Sequence, residues 1–170
     1  MKKTLLVVLV LLIGAGVYLS EQGKEQHEIR TEIDIAAPPE KVWELITDID
    51  AWQQWSPIIN ASKGVAAEGY TLSITMVGKD GADGPKYFPT IKHFDKPKYF
   101  HWQAVMITDA IMTNDKVFEL EATPTGTRLI HKELFTGMMV PIFCNKFDEN
   151  VPPMLNSMNV ALKELAEKEL

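Results

Sequence analysis

Residues 27–48 read His-Glu-Ile-Arg-Thr-Glu-Ile-Asp-Ile-Ala-Ala-Pro-Pro-Glu-Lys-Val-Trp-Glu-Leu-Ile-Thr-Asp, and the hydrophobic period changes within them. Up to Ala36 the residues alternate. Ile29, Ile33 and Ile35 share one face while Glu28, Arg30, Glu32 and Asp34 share the other, the pattern of a half-buried strand. Pro38 and Pro39 stop the strand and suit the first turn of a helix, because proline has no N–H to leave unpaired there. Val42, Trp43, Leu45 and Ile46 then form an apolar stripe. Ala51 to Pro57, with Trp52 and Trp55, reads as a second short helix closed by its proline.

Downstream the period returns to two. Tyr70, Leu72, Ile74 and Met76 alternate with Thr71, Ser73 and Thr75. Residues 78–84 are glycine-rich and acidic but lack the ligand spacing of a calcium loop, so they read as a solvated hairpin. Further strands are expected over 86–95, 99–107, 116–123 and 127–136, the last two joined across Pro124-Thr125-Gly126. Val151, Met154, Leu155, Met158, Ala161, Leu162 and Leu165 follow helical spacing, with Asn150 as N-cap and Pro152 and Pro153 in the first turn. The expected class is α+β: a curved antiparallel sheet of about seven strands around one long C-terminal helix, with two short helices after the first strand. A helix about 10 Å wide cannot fill a broad twisted sheet, and the gap is a natural ligand cavity.

Upstream, Thr4 to Leu19 is an uncharged run of about 16 residues preceded by Lys2 and Lys3. Residues 1–20 therefore read as a membrane anchor, 21–26 as a linker and 27–170 as the ligand-binding domain. The two lysines predict a cytoplasmic N-terminus and a domain outside, periplasmic in a bacterium. An export signal cleaved after Gly16 is the alternative, leaving a soluble domain. The domain is large enough for its own core. Net charge is −6 without a basic stripe, which argues against nucleic-acid binding. The single cysteine, Cys144, excludes an internal disulfide and reads first as a small hydrophobe.

Residues 35–48 followed by Trp52-Gln-Gln-Trp55-Ser-Pro57 resemble the opening of the START-like helix-grip superfamily, which includes the polyketide cyclase/dehydratase and lipid transport family. Residues 127–137 are similar to the last strand of its bacterial members, and 156–165 to their closing helix. The resemblance implies the helix-grip fold. It leaves open lipid carriers, cyclases and co-chaperones, since fold specifies function poorly.

Strand faces sort the candidate site. Arg128 and Lys132 face water, so Leu129, His131, Glu133 and Phe135 face inward. Lys92 outward places Tyr87, Ile91 and His93 inward, and Phe100, Trp102, Ala104 and Met106 form the apolar side of the next strand. Trp55, Tyr87, Trp102, Met106, Phe118, Phe135, Met154 and Met158 are the expected apolar lining, with His93, His131 and Glu133 as polar contacts. Those three are either anchors for a ligand head group, general acid/base groups, or inert residues hydrogen-bonded at a rim. A buried Glu133 needs a partner, for which His131 is a candidate. The apolar run 138–143 is either a cavity lid or a bilayer contact. Four dispersed histidines do not compose a metal site, no cofactor motif or nucleophile elbow is present, and the expected partner is a small hydrophobic molecule or lipid.

Overall fold

The computed structural model describes residues 2–168. The order is α1 (Lys2–Gln22), β1 (His27–Ile35), α2 (Pro39–Thr47), a 3-10 turn (Ile49–Ala51) running into α3 (Trp52–Trp55), β2 (Ile59–Lys63), β3 (Ser73–Val77), β4 (Asp83–Tyr87), β5 (Thr90–Asp95), β6 (Tyr99–Val105), β7 (Thr113–Thr123), β8 (Gly126–Thr136) and α4 (Val140–Lys168). Five strands form one antiparallel sheet, β1-β8-β7-β6-β5, and three form another, β2-β3-β4. The residues before β3 join them: Thr71 bridges Thr90, and the Ile91 N–H donates to Tyr70 O at 2.9 Å. The result is one curved surface that wraps α4, the expected helix-grip arrangement.

Three details differ from the sequence reading. The strand expected over 86–95 is two strands, because Pro89 has no N–H for a ladder. Strand β2 (Ile59–Lys63) carries little alternation of its own and is held by α3, where Gln53 Oε1 accepts from the Ser62 N–H at 2.8 Å and its hydroxyl at 2.6 Å. Helix α4 begins at Val140 rather than after Asn150, so the apolar run 138–143 supplies its first turn. Asn150 does not cap it; its side-chain amide donates back to Lys146 O at 2.7 Å. Pro152 and Pro153 lie inside α4, which frees the carbonyls of Asp148 and Glu149, two exposed residues that water can serve.

Helix α4 runs alongside β1. Near its start Asp148 meets His27 at 2.8 Å, and near its end Lys163 Nζ donates to Asp34 O at 2.5 Å while Glu167 accepts from the Ala36 N–H at 2.8 Å. Two buried clusters result. One gathers Trp43, Ile46, Phe100, Phe118, Leu120, Leu129 and Leu162 towards the end of the sheet where β1 finishes. The other gathers Ile29, Phe135, Val140, Val151 and Leu155 where β1 begins.

Among the described residues one helix, Thr4–Gln22, is long and apolar enough to cross a membrane: 19 residues, mean hydropathy 2.2, none buried in the protein. At 1.5 Å per residue it is about 28 Å long, close to the thickness of a bilayer's hydrocarbon core. Gly23 ends it, donating to Leu19 O at 2.9 Å, and its own carbonyl accepts from the Gly137 N–H at 2.9 Å.

The β7–β8 turn sets the pairing of the central hairpin. Thr123 faces Gly126, so the loop is only Pro124-Thr125. Gly126 has φ +147°, and a Cβ there would run into the Ile35 carbonyl. Gly126→Ala is therefore expected to destabilise the domain by more than about 1 kcal/mol, read as a lower urea midpoint in tryptophan-fluorescence unfolding.

Candidate functional site

A cavity of about 330 Å³ lies between the two clusters. Trp52, Ile59, Ile74, Trp102, Ala104 and Met158 bound it on one side; Phe135, Val151, Met112, Phe147 and Met154 bound it on the other. Ile58, Met76, Val77, Pro85, Tyr87 and Met106 complete an almost wholly apolar lining. Besides the Tyr87 hydroxyl, three polar side chains interrupt it: Asn114, Lys116 and Glu133.

These three belong to one buried chain of hydrogen bonds. Lys116 and Glu133 stand opposite each other on β7 and β8, with Nζ 2.5 Å from Oε1 and both residues 5% exposed. The Asn114 amide donates to the other Glu133 oxygen at 3.2 Å. Behind the wall, Lys116 Nζ lies 3.2 Å from His131 Nε2. A lysine ammonium only donates, so Nε2 accepts and the ring proton sits on Nδ1. Nδ1 then donates to Asn159 Oδ1 at 2.7 Å, Asn159 Nδ2 donates to Thr31 Oγ1 at 2.9 Å, and Thr31 donates to the His131 carbonyl at 3.2 Å. Burial first, and the Lys116 ammonium second, push the His131 pKa well below its ordinary value, so the imidazole is neutral. Lys116 also lies 5.9 Å over the Trp102 ring.

Of the residues expected to line the site, Tyr87, Trp102, Met106, Glu133, Phe135, Met154 and Met158 do so. Four others are placed differently. His93 is exposed on the outer face, because the pairing slips between Ile91 and His93 and a bulge reverses the alternation; its ring meets Tyr99 edge-on at 5.4 Å. Trp55 is half-buried outside the wall. In its place stands Trp52, held inward by an indole N–H bond to Ile46 O at 2.9 Å. Phe118 shares the inner face but lies deeper, stacked on His131 at 4.3 Å. His131 is thus sealed behind the wall and reaches the cavity through Lys116. The partner expected for Glu133 is Lys116, not His131.

Sequence reasoning missed Asn114, Lys116 and Asn159. Lys116 shares a face with Phe118 and Leu120 in the alternation of β7; Asn114 continues that face upstream of the expected strand start, because β7 begins at Thr113. Asn159 lies on the buried stripe of α4 next to Met158, a polar residue within an apolar pattern.

Two measurements probe this network. Lys116→Met alone leaves a buried carboxylate without its cation and is expected to cost about 3–5 kcal/mol, whereas Lys116→Met with Glu133→Leu returns stability close to the parent. A neutral His131 in the fold means that the unfolded chain binds the extra proton below its ordinary value of 6.5. This contribution is fully present above that pH and is lost as pH falls below it. Between about pH 7.5 and about pH 5.5 the parent is expected to lose more than about 1 kcal/mol relative to His131→Gln in urea melts.

Comparison with known proteins agrees with this architecture. The structure superposes on protein NE0264 from Nitrosomonas europaea with a TM-score of 0.66 at 17% identity, covering 84% of this chain and 95% of that one. It superposes on the Zhui aromatase/cyclase from Streptomyces sp. R1128 with a TM-score of 0.68 at 12% identity, covering 85% and 95%. For a START superfamily protein from Mycobacterium smegmatis the values are 0.66 and 15%, covering 84% and 99%. These likenesses establish the fold. No curated protein matches the sequence. Residues 26–167 match the family described as polyketide cyclase / dehydrase and lipid transport, and the chain belongs to that family.

Proposed function

We propose that the domain binds one small, uncharged, mainly hydrophobic molecule in this cavity and holds it at a membrane through α1, with the N-terminus cytoplasmic and the domain outside. The observation that carries the reading is an apolar cavity whose only charges, Lys116 and Glu133, already neutralise each other. A ligand carboxylate or phosphate would add a third desolvated charge at a cost of several kcal/mol. A hydroxyl, phenol or ketone adds none, and can bond to the Lys116–Glu133–Asn114 group. At about 330 Å³ the cavity lies near the lower end of ligand pockets, which run from roughly 300 to 1,000 Å³. That volume suits a ring system or one short chain, not a two-chain lipid.

A cyclase or dehydratase is the second reading. It is favoured by a carboxylate and an ammonium side by side in the wall, where one can take a proton and the other give one. Glu133 and Lys116 would be the acid/base pair, with Tyr87, Trp102, Met106, Phe135, Met154 and Met158 shaping the substrate.

Native mass spectrometry of the full chain released from detergent, followed by solvent extraction, separates these readings. A stoichiometric neutral adduct, recovered unchanged and absent from Ala104→Phe, is the expected result. An empty parent cavity, or a charged phospholipid adduct, contradicts the binding reading; an adduct that is chemically converted during incubation selects the enzyme.

A further inference from the structure

We infer that the open rim of the cavity faces the bilayer surface, so that the apolar end of the domain around Ile107 and Ile142 rests in the lipid interface. The inference rests on α1 being an uncleaved anchor and goes beyond it, because an anchor alone leaves the domain free to tumble.

Gly23 joins the apolar helix to the domain. The apolar helix ends at Gln22, and the next carbonyl is already bonded to Gly137 between β8 and α4. A Cβ on Gly23 would collide with the Gly137 backbone, so two strands of chain meet there at a separation only glycine permits. No slack remains between the membrane segment and the domain. Whatever shares that end of the fold is held close to the bilayer.

Strand register says what shares it. His27 faces Phe135, Thr113 faces Thr136 and Val105 faces Thr113, so the start of β1, the end of β8 and the β6–β7 loop are all at the Gly23 end. Met138 and Met139 donate to the carbonyls of Ala110 and Ile111, tying the start of α4 to that loop. The cavity opens there too. Its buried wall residues, such as Trp52 and Lys116, lie deep, while more exposed ones lie on this loop and the first half of α4, Met106, Met112 and Phe147, and on the adjoining β3–β4 hairpin, Val77 and Pro85.

The surface at this end has membrane character. Ile107 is 67% exposed and Ile142 53% exposed, a large apolar area for a water-facing surface. Nearby charges are mostly acidic: Glu25, Asp109, Asp148 and Glu149 against Lys24 and Lys146. Attraction to anionic lipid therefore does not drive the contact. Insertion of apolar side chains does, and uncharged vesicles suffice.

The test places single thiols on the full chain carrying Cys144→Ala, reconstituted in phosphatidylcholine vesicles and labelled with an environment-sensitive dye. Ile107→Cys and Ile142→Cys mark the rim, and Thr125→Cys marks the opposite end. The expected result is strong quenching by lipid-borne nitroxide and weak quenching by iodide at 107 and 142, with the reverse at 125. Adding Gly23→Val should abolish the lipid quenching at 107 while the protein stays in the vesicles. Equal iodide access at 107 and 125 in a vesicle-bound protein overturns the inference. Protein released by alkaline carbonate would show instead that the anchor reading fails.

Discussion

Lys116 and Glu133 leave water together, and the middle of the fold is built around that event. Taking two ions out of water costs several kcal/mol each, and their mutual attraction offsets this only when the remaining donors and acceptors are also satisfied. The neighbours meet that demand in sequence. Asn114 serves the second carboxylate oxygen, His131 accepts a second ammonium proton, Asn159 takes the imidazole N–H, and Thr31 closes the chain on the His131 backbone. Every link has one permitted direction, so the imidazole tautomer and the Asn159 amide orientation follow from the lysine alone. The network also spans β1, β7, β8 and α4. It therefore locks the grip of the sheet on the helix at the level where the hydrophobic core gives way to the cavity.

Much of the architecture was legible in residues 27–48 and in the long helical stripe, because periods of two and of 3.6 are imposed directly by burial. The site was less legible, and a single residue explains much of the loss. Reading the central turn as Pro124-Thr125-Gly126 pairs Thr123 with Thr127 and sets Lys116 opposite Leu134. The actual two-residue turn pairs Thr123 with Gly126 and brings Lys116 opposite Glu133. A one-residue change in a hairpin loop moves every cross-strand partner, and alternation alone does not reveal it. Leu129, His131, Glu133 and Phe135 do share the buried face of β8, and Glu133 takes Lys116 as its partner. His93 failed for a related reason. A bulge leaves no signature in composition, yet it sent that side chain to the outside while leaving Ile91 and Phe94 in the core.

The start of α4 illustrates a different limit. Two consecutive prolines and a plausible N-cap argue locally for a helix that begins near Asn150. Tertiary packing outweighs them: Val140 and Phe147 join Phe135, whose ring stacks on Phe147 at 4.1 Å, and the helix extends upstream. The prolines then fall where α4 borders the cavity rather than the filled core. Residues Phe147, Val151 and Met154 on either side of them supply the wall. The backbone bonds they remove are on the solvent side, where their loss is cheapest.

Polarity along the cavity bears on how a ligand gets in. The deep end holds the Lys116–Glu133 group, while the more exposed lining, Val77, Pro85, Tyr87, Met106, Met112 and Phe147, is mainly apolar. On the proposed membrane-facing orientation, a molecule entering through such a rim would lead with its polar group past mostly apolar walls before that group reaches the deep hydrogen-bonding partners. For a hydroxyl or ketone this passage costs a few kcal/mol, which the deep hydrogen bonds recover. For a carboxylate or phosphate the same passage is a desolvated charge with no counterion, and on arrival the only cation is already neutralised by Glu133. The ion pair thus acts twice, by offering hydrogen bonds without net charge and by withholding a free cation. Under the proposed function, selection for neutral amphiphiles would be a property of the entry path as well as of the binding site.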